Sequence, residues 1–181
     1  MDDTDGKARG RPRSDTARRA ILDAAYDLVV THGYADVTMD AIAAQAGTGK
    51  QTIYRWWPGK ADLVLDALED WAEGRITITE TESLPAFLTE VCEGATRAGP
   101  VLRSLMAQAQ FDTALRDKVK ARLIEPRRDA LRRCLAHAGV EARHRDGLVF
   151  AIYGALWYRL LMDEPLDAPF VRQMTALARR G

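Results

Sequence analysis

Lys50, Gln51 and Tyr54 follow directly on Gly47-Thr48-Gly49, so a helix starting at 50 would set a cation, an amide and a phenol on one face within about a turn. These side chains suit the edges of bases: lysine donates to guanine acceptors, and glutamine pairs in bidentate fashion with adenine. Hydroxyls and cations around such a helix grip phosphates and fix its register. A helix pair about a glycine turn also occurs as a plain packing hairpin, and Ile42, Ile53 and Trp57 read as core in either case.

Other chemistries fail on spacing. The run Gly47 to Thr52 is superficially like a phosphate-binding loop, but position 44 is Ala where that loop has Gly, and position 51 is Gln where it has Ser or Thr. The sequence contains no HExxH, no GxSxG and no clustered metal-ligand spacing. His32 reads as a favourable dipole partner at a helix C-terminus, and His137 and His144 as surface or pocket residues. Cys92 and Cys134 are far apart and lie on apolar stripes, which argues against a disulfide scaffold. No catalytic group, cofactor or metal is expected. A helical small-molecule enzyme remains as an alternative without a visible constellation.

The elements that must position the candidate helix are themselves helical. Of 181 residues, 47% are hydrophobic and 29% charged, the balance of a soluble globular protein. The 26 Lys+Arg and 26 Asp+Glu cancel, but unevenly. Nine cations meet eight anions in 1–60, one meets nine in 61–93, and sixteen meet nine in 94–181. No apolar leader follows Met1, and the longest uncharged run, Gly147 to Tyr158, is 12 residues, short of the roughly 18–20 that span a membrane. A cytoplasmic protein without membrane contact is expected.

Apolar periodicity predicts nine helices and no sheet. The first covers about 14–32, capped by Ser14 or Asp15 and stopped by Gly33; Thr38 caps a second that Gly47 ends; a third is broken by Trp56-Trp57-Pro58-Gly59; a fourth starts at Lys60. Residues 75–80 alternate like a strand with no partner run, so they read as an extended linker. Further stripes run through Leu84 to Ala95, Val101 to Ala109, and Leu115 to Ala138, with Pro126 either kinking the last or starting a new helix. Residues 148–162 carry one charge, Arg159, and must be covered on both sides. A final helix follows Pro169. The domains expected are an arm over 1–13, a helix-turn-helix module over 14–72, a linker over 73–83 and a second helical domain over 84–181.

The series Ala41-Ile42-Ala43-Ala44-Gln45-Ala46-Gly47, Gly49-Lys50, Thr52-Ile53-Tyr54-Arg55, Trp57 and Lys60-Ala61-Asp62-Leu63 strongly resembles the DNA-binding module of the TetR family of bacterial transcription regulators. Ala24-Ala25, His32-Gly33-Tyr34 and Val37-Thr38 extend the resemblance, which covers about 14–68. Glu125-Pro126-Arg127-Arg128 and residues 158–171 are similar to one class of C-terminal domains in that family. The resemblance implies base contacts at Lys50, Gln51 and Tyr54, and phosphate contacts at Thr38, Thr52, Tyr54, Trp56 and Lys60, with Thr48 counted among the DNA-binding residues. Where the family usually has an aliphatic residue, a small cap and His, this chain has Thr48, Gly49 and Trp56. The cationic arm Arg9-Gly10-Arg11-Pro12-Arg13 suits a narrow minor groove, with Arg11 the expected inserter.

The same resemblance implies an all-α regulatory domain that dimerises and holds a small-molecule effector, and a repressor released from double-stranded palindromic DNA. Met106, Gln110, Phe111, Tyr153 and Trp157 are the expected effector lining. Ile152, Leu156, Leu160, Phe170, Met174 and Leu177 are the expected dimer surface. The cation-rich stretch 116–133 reads as a solvated helix face. A DNA-organising protein without an effector fits the front half equally.

Overall fold

The computed structural model describes residues 11–73 and 83–180, with the side chains of 11–14 outside the description. The expected linker, the alternating run 75–80 and most of the arm therefore lie outside the described residues. Every regular element described is helical: α1 Arg11–His32, α2 Met39–Gln45, α3 Lys50–Tyr54, α4 Lys60–Ala72, α5 Leu84–Arg97, α6 Gly99–Ala109, α7 Thr113–Val119, α8 Glu125–His137, α9 Ala142–Leu161 and α10 Ala168–Ala178. A π-helical turn, Lys120–Ile124, joins α7 to α8 without a break. Counted as one bent rod, α7 to α8 brings the described helices to the expected nine.

The local signals act as their chemistry requires. Thr38 accepts from the Ala41 N–H at 3.1 Å, and Gly33, Gly47 and Gly139 hold φ of +82°, +62° and +82° where α1, α2 and α8 stop. Two ends differ from expectation. The first helix starts at Arg11 instead of 14, since Pro12 has no N–H to leave unbonded in a first turn. Helix α9 starts at Ala142, six residues before its apolar stripe, because its first turns are polar and solvated. Pro126 explains the π turn. A proline cannot donate to the carbonyl four residues back and its ring crowds that carbonyl; one wider turn just before it relieves the crowding.

Two cores result. In the first, α1 to α4 pack Ile21, Ala25, Ile42, Ile53, Trp57 and Leu63 together, with Tyr26 stacked on Trp71 at 4.7 Å between α1 and α4. Val101, Leu102 and Leu105 of α6 and Leu115 and Val119 of α7 join the same core. The helix-turn-helix module is therefore welded to α6 and α7 by apolar contact. The second core lies among α5, α8, α9 and α10.

Candidate nucleic-acid interface and inner cavity

The turn between α2 and α3 aims α3 outward. Ile53 is fully buried and Trp57 is 3% exposed beneath it, so the opposite side of this five-residue helix must face solvent. Lys50, Gln51 and Tyr54 stand there together, Tyr54 47% exposed. Thr48 and Thr52 flank them, half-buried. Lys50 Nζ pairs with Asp40 Oδ2 of α2 at 2.9 Å, and this hydrogen bond raises its pKa above the ordinary lysine value. Both partners are exposed, so the pair is weak and open to exchange for another acceptor. Trp56 lies half-buried, edge-on to Trp57 at 5.6 Å, with the Arg55 guanidinium over its ring. Thr38 uses its oxygen as acceptor within the cap, leaving its hydroxyl proton to donate outward.

Lys60 Nζ donates to the carbonyls of Tyr34, Ala35 and Val37 at 2.7, 3.3 and 2.8 Å, and it sits 4.3 Å from the centroid of the Tyr34 ring. An ammonium has three protons, and all three are occupied. Lys60 thus clamps the loop between α1 and α2 in the free protein. Burial lowers the Lys60 pKa, with Asp36 opposing. The same loop is tied to α6, where the Tyr34 N–H donates to Ser104 Oγ. Arg11 begins α1, its side chain outside the described residues.

Behind the module an apolar cavity with about 610 Å³ of atom-free space, part of it open to solvent, lies among α4, α5, α6, the π turn, α8 and α9. Tyr153 and Trp157 line it. Met106, Gln110 and Phe111 do not, and they are corrected: Gln110 bonds back to the Met106 carbonyl at 3.1 Å, Met106 packs on the first core, and Phe111 is 88% exposed at the turn after α6. The cavity instead meets Leu68 and Ala72 of α4, Leu123 and Ile124 of the π turn, and Arg127. Arg127 was legible in principle, since it takes the place of an apolar residue in the every-fourth series Leu123, Arg127, Leu131, Leu135.

Polar contacts connect the cavity wall to the outward helix. Arg122, on the π turn, donates to Asp66 at 2.6 Å and to Glu69 at 2.7 Å on α4. Burial alone would lower its pKa, but these carboxylates carry it above the ordinary value. Asp66 in turn accepts from Trp57 Nε1 at 2.7 Å, just past α3. Lys118 of α7 pairs with Asp62 at 2.7 Å. The acidic stretch 61–93 thus supplies α4 with carboxylates that the basic second half engages.

The expected dimer surface is also corrected. Ile152, Leu156, Leu160 and Phe170 are at most 4% exposed within the protomer's own cores, and Met174 packs beside them. Leu177 remains 40% exposed. The uncovered side of α9 is the other one, with Gly147, Gly154 and Ala151 around Phe150, Tyr158 and Leu161, which are 73%, 60% and 39% exposed.

The comparisons with known proteins agree with this geometry. Residues 21–67 match the model of bacterial regulatory proteins of the tetR family, and residues 79–178 match that of the tetracyclin repressor-like C-terminal domain. The chain belongs to the TetR family of transcription regulators. It is 34% identical to the HTH-type transcriptional regulator YdeS of Bacillus subtilis, over 96% of this chain and 93% of that protein. It is 27% identical to the DNA-binding transcriptional repressor TetR of Mycobacteroides abscessus, over 90% and 91% of the two chains. The crystal structure of the TetR family regulator SCO0332 superposes with a TM-score of 0.68 at 30% identity, covering 90% of this chain and 97% of that one. The protein is thus an all-α TetR-family regulator, built from a helix-turn-helix module and a helical C-terminal domain. Among the described residues, no helix is long and apolar enough to cross a membrane.

Proposed function

We propose that this regulator is a homodimeric repressor that reads a palindromic operator through α3 and leaves it when a small effector fills the inner cavity. The observation that carries the DNA reading is the face of α3: Lys50, Gln51 and Tyr54 exposed together over a buried Ile53. Lys50 and Gln51 supply base-edge donors and acceptors. Thr38, Thr48, Thr52 and Trp56 flank them as backbone contacts, and Tyr54 serves both roles. The uncovered α9 face supports pairing with a second copy. A two-fold axis there would set two α3 helices to read half-sites about 34–36 Å apart.

Release follows from what lines the cavity. Leu68 and Ala72 belong to α4, and the π turn grips α4 through Arg122, so an occupant that moves either wall moves α4, whose Asp66 holds Trp57 at the exit of α3. An effector acts only by binding one arrangement more tightly than the other. Selection of bound genomic fragments at about 150 mM salt, with wild type and a Lys50→Ala/Tyr54→Ala variant, tests the reading. A palindromic site recovered by wild type and lost in the variant is expected; recovery blind to sequence would overturn it in favour of a DNA-organising role.

A further inference from the structure

Arg127 is set apart from the cations around it. Arg122 holds two carboxylates, Arg128 pairs with Glu125, and Arg132 pairs with Asp129 and Asp146. Arg127 forms no ion pair among the described residues. Its Nη1 donates to the Leu123 carbonyl at 2.8 Å, one of five guanidinium N–H groups, while its own carbonyl accepts from Tyr153 Oη at 3.0 Å. The carboxylates that could have served it, on α4, are engaged by Arg122 and Lys118. A guanidinium is thus held at an apolar wall with no carboxylate paired to it among the described residues, and burial pushes its pKa below the ordinary value despite the opposing influence of Tyr153 and Glu69. Such a charge is costly to keep unpaired.

We propose that the cavity takes an organic anion with an apolar body, its carboxylate seated on the Arg127 guanidinium and its body against Val91, Leu102, Ile124, Leu156, Trp157 and Leu160. The proposal rests on reading this cavity as the effector site. A guanidinium and a carboxylate match in planar, bidentate fashion, and the pairing strengthens where water is excluded. Seating on Arg127 also places the ligand five residues along the chain from Arg122, the grip on α4.

Calorimetry on the full chain with decanoate, decanol and decyltrimethylammonium, each below its micelle concentration, tests this directly. Decanoate is expected to bind at least about tenfold more tightly than decanol, and the ammonium most weakly. Arg127→Gln keeps a donor for the Leu123 carbonyl but removes the charge, and should bring the decanoate-to-decanol ratio to about one while decanol still binds. Arg127→Lys should retain part of the preference. Equal binding of decanoate and decanol by wild type, an unchanged ratio in Arg127→Gln, or no decanoate binding up to millimolar concentration would overturn the proposal. Adding the same compounds to the protein on its recovered DNA separates the two readings. Decanoate held through Arg127 with DNA affinity unchanged supports the anion site and sinks the effector reading. Release by decanol and decanoate alike does the reverse.

Discussion

Lys60 and Tyr34 form the most constrained pair near the DNA-facing surface, and their roles can be separated by measurement. If Lys60 clamps the loop after α1, Lys60→Met should lower stability by about 1–2 kcal/mol, discounted for its partial exposure, and melting should fall by several degrees. The salt dependence of DNA binding should keep its slope; a slope reduced by about one per lost phosphate contact would restore the phosphate role. The Tyr34 phenol, buried and facing Asp112 and Asp62, is pushed up to about 12. Below pH 10 folded and unfolded chains both hold this proton and stability is unaffected. Between about 10 and 12 the unfolded chain ionises first, so about 2–3 kcal/mol is lost as pH rises. Lys60, with its lowered pKa, contributes in the opposite sense and offsets part of the loss. Denaturant melts at pH 9 and 11.5 should show a smaller drop in Tyr34→Phe than in wild type. An equal drop would mean that Tyr34 is not the group responsible. At the α3 face, Gln51→Ala should cost about 1–3 kcal/mol at one base position and relax specificity there, as read from binding to single-base operator variants.

Among elements, the π turn is the piece that both the cavity and α4 touch, and it yields the sharpest test of coupling. Arg122→Leu should leave effector binding by calorimetry within about twofold, yet reduce the effector's influence on DNA affinity by about 0.5–2 kcal/mol. Full coupling in that variant would place the transmission elsewhere, for instance in the apolar contacts of Leu68. How much of this was legible in the chain differs element by element. Gly33, Thr38, Gly47 and Gly139 act through local backbone chemistry, so helix ends beside them could be read directly. The beginning of α9 could not, because Arg143 to Gly147 is polar and carries no periodic signal. The cavity lining was half legible. Tyr153 and Trp157 share a helix face and Arg127 interrupts an apolar series, whereas the part played by Ile124 depends on a π turn that shifts the register after Val119. For α9 the limit was physical: both of its sides are apolar, and nothing in a helical repeat says which side its own protomer covers.

At the scale of the whole molecule, that ambiguity becomes a prediction. Leu148, Val149, Ile152, Leu156 and Leu160 are buried against α5, α8 and α10 or the front core, so the side bearing Phe150, Tyr158 and Leu161 has no partner among the described residues. Three large apolar groups beside Gly147 and Gly154, where an added Cβ would meet nothing within 4 Å, leave room for a second helix to approach closely. Phe150→Asp should therefore yield a monomer by light scattering at micromolar concentration, where wild type is expected to be a dimer. The substitution lies outside both cores, so helicity by circular dichroism should hold, although melting loses its concentration dependence. On DNA the monomer should bind a palindrome no better than an isolated half-site, whereas wild type should gain about a hundredfold or more from linking two reading heads. A variant that stays dimeric with its palindrome preference intact would move the two-fold axis to another surface, with the exposed Leu177 edge of α10 the next place to mutate.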